Sequence, residues 1–157
     1  MTTIAVSLPM LTMAADSRAM IWERKGRALR ESHAVKCYKL VRTRKYIIGC
    51  AGDSNDIAEF LRWTREPLTR RRRTKDDFQA VLLSRTGLWW VDENGPLEVC
   101  RTPFYAIGSG SGYAMAAFSA MQRLGAEINP TIAVEVACEH DKNSAPPVDS
   151  MRWKPSK

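Results

Sequence analysis

The sequence predicts a layered sandwich of antiparallel β-sheets and α-helices. Strand patterns and helix patterns come in blocks instead of alternating one for one, which favours the α+β class. The chain has 157 residues, 45% of them hydrophobic and 26% charged, as in one soluble domain. Such a chain buries about 70% of its unfolded surface and needs no disulfide or metal to fold. We expect one domain over 2–150 and a C-terminal tail over 151–157.

The first third of the chain is read as strands. Residues 2–8 alternate apolar and polar side chains, and 11–15 form the return strand of a hairpin. Residues 18–31 are mixed and are assigned short exposed strands. A polar turn separates a second strand pair over 35–41 and 46–51.

Helix patterns interrupt the strands once and return near the end. A helix begins after a cap at Asp53 or Ser54 and stops at Pro67. Asn129 caps the last helix, with Pro130 at its first position. The later predicted elements are strands over 78–84, 88–91, 97–100 and 104–107 and helices over 113–124 and 130–139.

No metal or cofactor is expected. The cysteine and histidine positions lack the close spacing of metal ligands: Cys37, Cys50, Cys100 and Cys138, with His33 and His140. The glycine cluster at 108–112 lacks both the sixth-position glycine of a dinucleotide fingerprint and the lysine of a phosphate loop. Four dispersed thiols fit a reduced, cytoplasmic protein.

A membrane is not an expected partner either. No apolar run approaches the ~20 residues of a membrane-spanning helix. The first residues lack the basic region of a secretory signal.

The net charge of +7 comes from one basic block between Arg62 and Lys75. Phosphate contacts from Arg70–Arg73 give one candidate function, a nucleic-acid-binding module. No aromatic residues interleave with the arginines to form a stacking platform, and such a run after a proline is more often a solvated loop. We therefore do not expect nucleic acid as the partner.

A threonine follows the initiator methionine. Aminopeptidases that remove methionine accept a small second residue, so we expect the mature chain to begin at Thr2. An N-terminal threonine has a hydroxyl nucleophile and its own α-amine, whose reference pKa of about 7.7–8.0 suits a base near neutral pH. The dipeptide alone is common and decides nothing.

Six segments strengthen this hypothesis because they occur in one order across nearly the whole chain. They are Thr2–Val6, Met13–Arg18, Ala34–Lys36 with Leu40, Ile48–Gly52 with Asp56, Tyr105–Gly110 with Tyr113 and Ala114, and Asp141–Ser144. Together they resemble the N-terminal nucleophile hydrolases of the proteasome β-subunit and HslV peptidase type. The resemblance implies a four-layer αββα sandwich of two antiparallel sheets flanked by helices.

The resemblance also implies the residues of the reaction. Thr2 would attack the substrate carbonyl through its hydroxyl, and its free amine would accept the proton. Lys36 would be the cation that favours loss of that proton, and Asp16 would hold Lys36 in position. The backbone N–H of Gly52 would donate to the oxyanion.

Further residues match supporting positions of the family. Ser109, Asp141 and Ser144 would orient the threonine amine and a bound water. The structural alternatives are a helix-entry turn for Ser109 and a helix-exit cap for Asp141 and Ser144. Cys50 falls where the family has the floor of the S1 pocket, which implies a medium-sized apolar P1 side chain. The alternative for Cys50 is an ordinary core thiol.

The implied function is a threonine endopeptidase that cleaves peptides or unfolded proteins inside a self-compartmentalising homo-oligomeric ring. Two alternatives share the fold: a catalytically silent structural or assembly subunit, and an amidohydrolase of small molecules. Retained Met1 would favour the silent subunit, because an acylated threonine has no free amine.

One region departs from the family. Only 21 residues separate Asp56 from Phe78, where relatives have two full helices, so the second helix is expected to be truncated or absent. In relatives that helical layer helps form the face that meets a ring partner or an unfoldase. The departure puts an ATP-dependent unfoldase and the usual ring number in doubt.

Overall fold

The structure is a computed structural model that describes residues 2–25, 28–36, 39–64, 78–91, 98–99 and 101–154, with side chains described over 2–19, 39–64, 78–91 and 101–154. These residues contain strands β1 (Thr3–Ser7), β2 (Thr12–Asp16), β3 (Arg18–Lys25), β4 (Ala28–Lys36), β5 (Leu40–Arg42), β6 (Ile47–Ala51), β7 (Gln79–Leu83), β8 (Leu88–Val91), β9 (Glu98–Val99), β10 (Phe104–Gly108) and β11 (Val148–Arg152). They also contain helices α1 (Ser54–Trp63), α2 (Ser111–Arg123) and α3 (Pro130–His140). None of the described helices has the length and apolar character needed to span a bilayer.

Two antiparallel sheets form the centre of the molecule. The first sheet has the strand order β10-β1-β2-β11, and the second has the order β5-β6-β7-β8-β9. Strands β3 and β4 pair only with each other in the described structure. In the first sheet, Thr3 pairs with Gly108 and Val148 pairs with Asp16, so these residues share one end.

An apolar core fills the space between the two sheets. Side chains alternate along a strand, so Ile4 and Val6 face the second sheet while Ala5 faces the opposite way. Gly49 lies at a close approach of the two sheets: an added Cβ would lie 2.7 Å from Cγ2 of Ile4 and 2.8 Å from Sδ of Met13. Glycine at this position lets the two sheets close.

Helices cover the outer faces of both sheets. Helices α2 and α3 pack on the first sheet, where Phe118 and Val134 are fully buried. Helix α1 packs on the second sheet through Phe60. The order helix, sheet, sheet, helix confirms the expected αββα sandwich. The expected loss of the second helix falls on residues 65–77, which lie outside the described residues.

Capping residues in the sequence predicted where α1 and α3 begin. The side chain of Asp53 accepts a hydrogen bond from the N–H of Asn55, and that of Asn129 accepts one from Thr131, so both predicted caps are confirmed.

Two predicted boundaries differ from the structure. The single strand expected over 35–41 is two strands, because β4 ends at Lys36 and pairs with β3, whereas β5 begins at Leu40 and pairs with β6. Strand β11 continues to Arg152, past the expected domain end at 150, because Met151 packs against the core between the sheets.

Candidate active site

Several chain segments meet at one end of the sandwich. Strand β1 begins there at Thr3, while β2, β6 and β10 end there. The loop that follows α3 joins them through backbone hydrogen bonds, since the N–H of Ser17 donates to the carbonyl of Ala145. We call this end of the molecule the Thr2 end.

The carboxylate of Asp16 accepts four hydrogen bonds at the Thr2 end. Its Oδ1 accepts from Nζ of Lys39 and from the N–H of Thr3, both at 2.7 Å. Its Oδ2 accepts from the N–H groups of Arg18, at 3.1 Å, and Ala145, at 3.3 Å. A buried carboxylate is tolerated only when hydrogen bonds and an opposite charge replace its water, and Asp16 has both.

Among the described side chains, the lysine beside Asp16 is Lys39, which the sequence analysis did not single out. Lys36, which the sequence analysis assigned to this position, is the last residue of β4, and its backbone pairs with Arg18, two residues after Asp16. The side chain of Lys36 lies outside the described residues, so its role stays a prediction. The break between β4 and β5 brings Lys39 to the Thr2 end.

A pairing argument could have found Lys39. It directly precedes β5, whose first residue Leu40 pairs with Gly49. Its carbonyl also accepts from the N–H of Cys50 at 3.4 Å. A lysine just before the strand that pairs with β6 must lie near the end of β6, where the expected oxyanion donor Gly52 follows.

Thr2 and Thr3 face different layers. Thr2 is 6% exposed, and side-chain alternation places it on the face of Ile4, towards the second sheet. Thr3 points towards the helices, with Oγ1 at 2.6 Å from Oγ of Ser144. Thr3 is a site residue that sequence reasoning missed, although alternation along β1 was a usable signal.

Asp141 accepts hydrogen bonds from both predicted serines, Ser109 and Ser144. Its Oδ2 accepts from the hydroxyls of Ser109, at 2.7 Å, and Ser144, at 2.8 Å, and its Oδ1 accepts from the N–H of Asn143 at 3.1 Å. Burial by itself raises the pKa of Asp141, but these hydrogen bonds outweigh burial and hold the pKa below its ordinary value. The structure thus brings Ser109, Asp141 and Ser144 together, as predicted.

This hydroxyl network reaches both threonines. Ser144 contacts Thr3 as described, and Oγ of Ser109, whose proton is donated to Asp141, lies 3.5 Å from the carbonyl oxygen of Thr2. Thr2 and Thr3 are therefore held from two sides, by Asp16 and by the Asp141 network.

Two glycines allow the chain at the end of β10 to approach Thr2 and Thr3 closely. Gly108 has φ +91°, and an added Cβ would overlap the carbonyl oxygen of Thr2. A Cβ at Gly110 would overlap Oγ1 of Thr3. Both positions require glycine for the two threonines to reach their places.

Gly52 follows β6 at the Thr2 end. Its φ of +137° is a conformation that favours glycine, and the residue is exposed. The next residue, Asp53, caps α1. The N–H of Gly52 is thus placed at a sharp strand-to-helix turn that a substrate can approach.

Cys50 lies on the opposite face of β6 from the core between the sheets. It is 3% exposed and belongs to the apolar cluster beneath α1, with Phe60 and Phe78. Burial raises the pKa of its thiol to about 12. Its expected place in an S1 pocket stays a prediction.

The side chains described contain no group of three or more His, Cys, Asp or Glu residues that could hold a metal ion. The Thr2 end instead offers a buried ammonium, a buried carboxylate, a network of hydroxyls and the start of the chain. Such a set can position a hydroxyl nucleophile and stabilise its deprotonated form.

Solved structures share this architecture over nearly the whole chain. A Thiobacillus denitrificans BPH aligns with a TM-score of 0.66 and 18% identity, over 99% of this chain and 100% of that one. The same protein in complex with epoxomicin gives 0.65 and 19%, with the same coverage. The eukaryotic HslV from Trypanosoma brucei gives 0.64 and 24%, over 96% of this chain and 98% of that one.

The chain has the proteasome β-subunit and HslV type of fold. The HslV-type fold agrees with the resemblance read from the six sequence segments. No protein-family model matches the sequence, and no curated protein matches it. At 18–24% identity, the solved structures support the fold and leave the reaction to be argued from the site.

Proposed function

We propose that this protein is a threonine peptidase whose nucleophile is the N-terminal Thr2. One observation carries the proposal: the buried Asp16–Lys39 ion pair is hydrogen-bonded to the N–H of Thr3, the residue next to Thr2. A buried charge pair is a poor stabiliser compared with apolar packing, so its position beside the chain start calls for a chemical role.

The proposed reaction proceeds through an acyl-enzyme. Oγ of Thr2 forms a bond to the substrate carbonyl carbon while the α-amine of Thr2 takes the hydroxyl proton. The tetrahedral intermediate collapses, the C–N bond breaks, and the amine returns the proton to the leaving nitrogen. Water then attacks the ester carbonyl and releases Thr2 with its hydroxyl and amine restored.

The surrounding residues have distinct tasks in this proposal. The Lys39 ammonium, whose position Asp16 fixes, would stabilise the developing alkoxide. Lys36 is the second candidate for this role, because its backbone pairs with Arg18, two residues after Asp16. Asp141 holds Ser109 and Ser144 so that their hydroxyls order the threonine amine and a bound water. The N–H of Gly52 donates to the oxyanion, a contact whose loss typically costs about 10²–10³ in rate.

The experiment begins with the mass of the purified protein and epoxomicin as the probe, because a BPH with the same fold is known in complex with it. We expect Met1 to be absent and epoxomicin to add one equivalent of mass at Thr2. Thr2→Ala should abolish labelling and the cleavage of fluorogenic peptides with an unchanged melting temperature. Thr102→Ala, an exposed site on the loop before β10, is the matched control and should keep both.

The outcomes separate the proposal from a silent subunit of the same fold. A retained Met1 together with no labelling would identify the silent subunit. Cleavage that survives Thr2→Ala would place the activity elsewhere and end the proposal.

The same proposal includes assembly and specificity. Peptides or unfolded proteins would be cleaved inside a homo-oligomeric ring, whose subunit number native mass spectrometry would give. An ATP-dependent unfoldase partner would be detected as ATP-dependent cleavage of a folded substrate.

Cys50 would favour medium-sized apolar P1 side chains, so Cys50→Ala should shift cleavage towards larger P1 residues.

A further inference from the structure

Gln79 is a polar residue on an otherwise apolar face of β7. It is the first residue of β7 and lies opposite Ala51, next to Gly52. Val81 and Leu83, which share its face of β7 by alternation, lie in the core between the sheets. Gln79 therefore faces the first sheet at the Thr2 end.

Its side chain makes a hydrogen bond between the two sheets. Oε1 of Gln79 accepts the N–H of Gly108 at 3.1 Å. Gly108 is the last residue of β10, an edge strand of the first sheet, so an outward N–H has no neighbouring strand to accept it. The side chain of Gln79 supplies the missing acceptor from the opposite sheet.

Gly108 is also the residue against which Thr2 rests. An added Cβ at Gly108 would overlap the carbonyl oxygen of Thr2, and Gly108 pairs with Thr3 in the sheet register. A displacement of Gly108 must therefore move Thr2 or open a gap beside it. The contacts run without interruption from Gln79 through Gly108 to the proposed nucleophile.

We propose that Gln79 is a positioning residue for Thr2, a role that rests on the proposed function. It touches no reacting atom. Thr2 directly precedes β1 of the first sheet, and Gly52 directly follows β6 of the second. The hydrogen bond from Gly108 to Gln79 fixes the separation of the two sheets beside them. Since a displacement of about 1 Å can cost 10²-fold in rate, its loss should appear in kcat more than in KM.

The test compares two substitutions at one position. Gln79→Met keeps the length of the side chain but removes the acceptor, whereas Gln79→Glu keeps an acceptor oxygen. We expect Gln79→Met to slow epoxomicin labelling and lower kcat at least tenfold with KM within threefold, and Gln79→Glu to restore most of the rate. Gln122→Met, at an exposed position of α2, is the matched control and should behave as wild type.

A second measurement does not depend on activity. Amide hydrogen exchange of Gly108, followed by NMR, should accelerate at least tenfold in Gln79→Met and stay near the wild-type rate in Gln79→Glu. Unchanged exchange at Gly108 in Gln79→Met would overturn the inference, and so would unchanged labelling. If wild-type protein fails to label with epoxomicin while the exchange of Gly108 responds as expected, the proposed function is wrong. The hydrogen bond between Gly108 and Gln79 is then still supported.

Discussion

Nζ of Lys39 lies 2.7 Å from Oδ1 of Asp16, and the two side chains are 5% and 0% exposed. Removing such a pair from water costs several kcal/mol per ion, so it persists only where the remaining polar atoms are bonded. Asp16 meets this condition through backbone N–H groups of three other segments. One carboxylate thereby ties β1, β2, β3, the residue before β5 and the loop after α3 together, beside the residue proposed to react.

The first prediction concerns the two lysines. Lys39→Met leaves the Asp16 charge buried and unpaired, so we expect a loss of about 3–5 kcal/mol in the free energy of unfolding and no detectable epoxomicin labelling. Lys36→Met is the comparison, and it should leave labelling intact if Lys39 is the cation that acts on Thr2. Denaturant titration and labelling rates measure both variants. Labelling that survives Lys39→Met but is lost in Lys36→Met would assign the role to Lys36.

The second prediction uses two glycines with positive φ. Gly108→Ala puts a methyl group into the carbonyl oxygen of Thr2, whereas an added Cβ at Gly125, with φ +66°, has nothing within 4 Å. Both substitutions strain the backbone by about 1 kcal/mol, but only Gly108→Ala should also abolish peptide cleavage. Melting temperatures and cleavage rates compare them. Equal loss of activity in both variants would contradict the close approach at Gly108.

The third prediction is a pH dependence. The pKa of Asp141 in the folded protein is held below its ordinary value, so its stabilising effect is complete above about pH 4 and is lost as the pH falls through the folded-state pKa. Asp141→Asn should lower the free energy of unfolding by about 2 kcal/mol at pH 7, and the difference from wild type should shrink below pH 4. Denaturant titrations between pH 3 and 7 measure this.

The exposed Asp53 provides the control for Asp141. Asparagine caps a helix as well as aspartate does, so Asp53→Asn should leave stability nearly unchanged at every pH. A wild-type to Asp141→Asn difference that stays constant down to pH 3 would argue against the depressed pKa.

Local chemistry made much of the fold predictable from the sequence. The caps at Asp53 and Asn129 depend only on the next few residues, and the alternation in β1 depends only on its own side chains. Short-range rules set both features. Ser109, Asp141 and Ser144 were named from the family resemblance, because the contact of Ser109 with Asp141 is a long-range one.

The lysine beside Asp16 was harder to predict, because its place depends on which strand pairs with which. The change of partner between β4 and β5 brings Lys39 beside Asp16, and a continuous strand over 35–41 does not predict that change. Strand pairing is a long-range property, and hydrophobic alternation does not record it. The same holds for Gln79, whose bond to Gly108 joins two sheets.

The fourth prediction concerns the reactivity of Cys50. Burial raises the pKa of its thiol to about 12, so at pH 8 only about one molecule in 10⁴ carries the reactive thiolate. Native protein treated with iodoacetamide at pH 8 should stay unmodified at Cys50 for hours, and modification should become rapid in guanidinium chloride. Peptide mapping by mass spectrometry distinguishes Cys50 from the other three cysteines. Fast modification of the native protein at Cys50 would show that its cluster beneath α1 opens.

The fifth prediction tests whether Thr3 contributes through its hydroxyl. Oγ1 of Thr3 lies 2.6 Å from Oγ of Ser144, which itself donates to Asp141. Thr3→Val keeps the shape but removes this bond at a fully buried site, so the free energy of unfolding should fall by about 1–2 kcal/mol. Thr3→Ser keeps the hydroxyl and should lose less. If Thr3→Val also slows epoxomicin labelling while Thr3→Ser does not, the hydroxyl network from Asp141 positions the start of the chain as well as stabilising it.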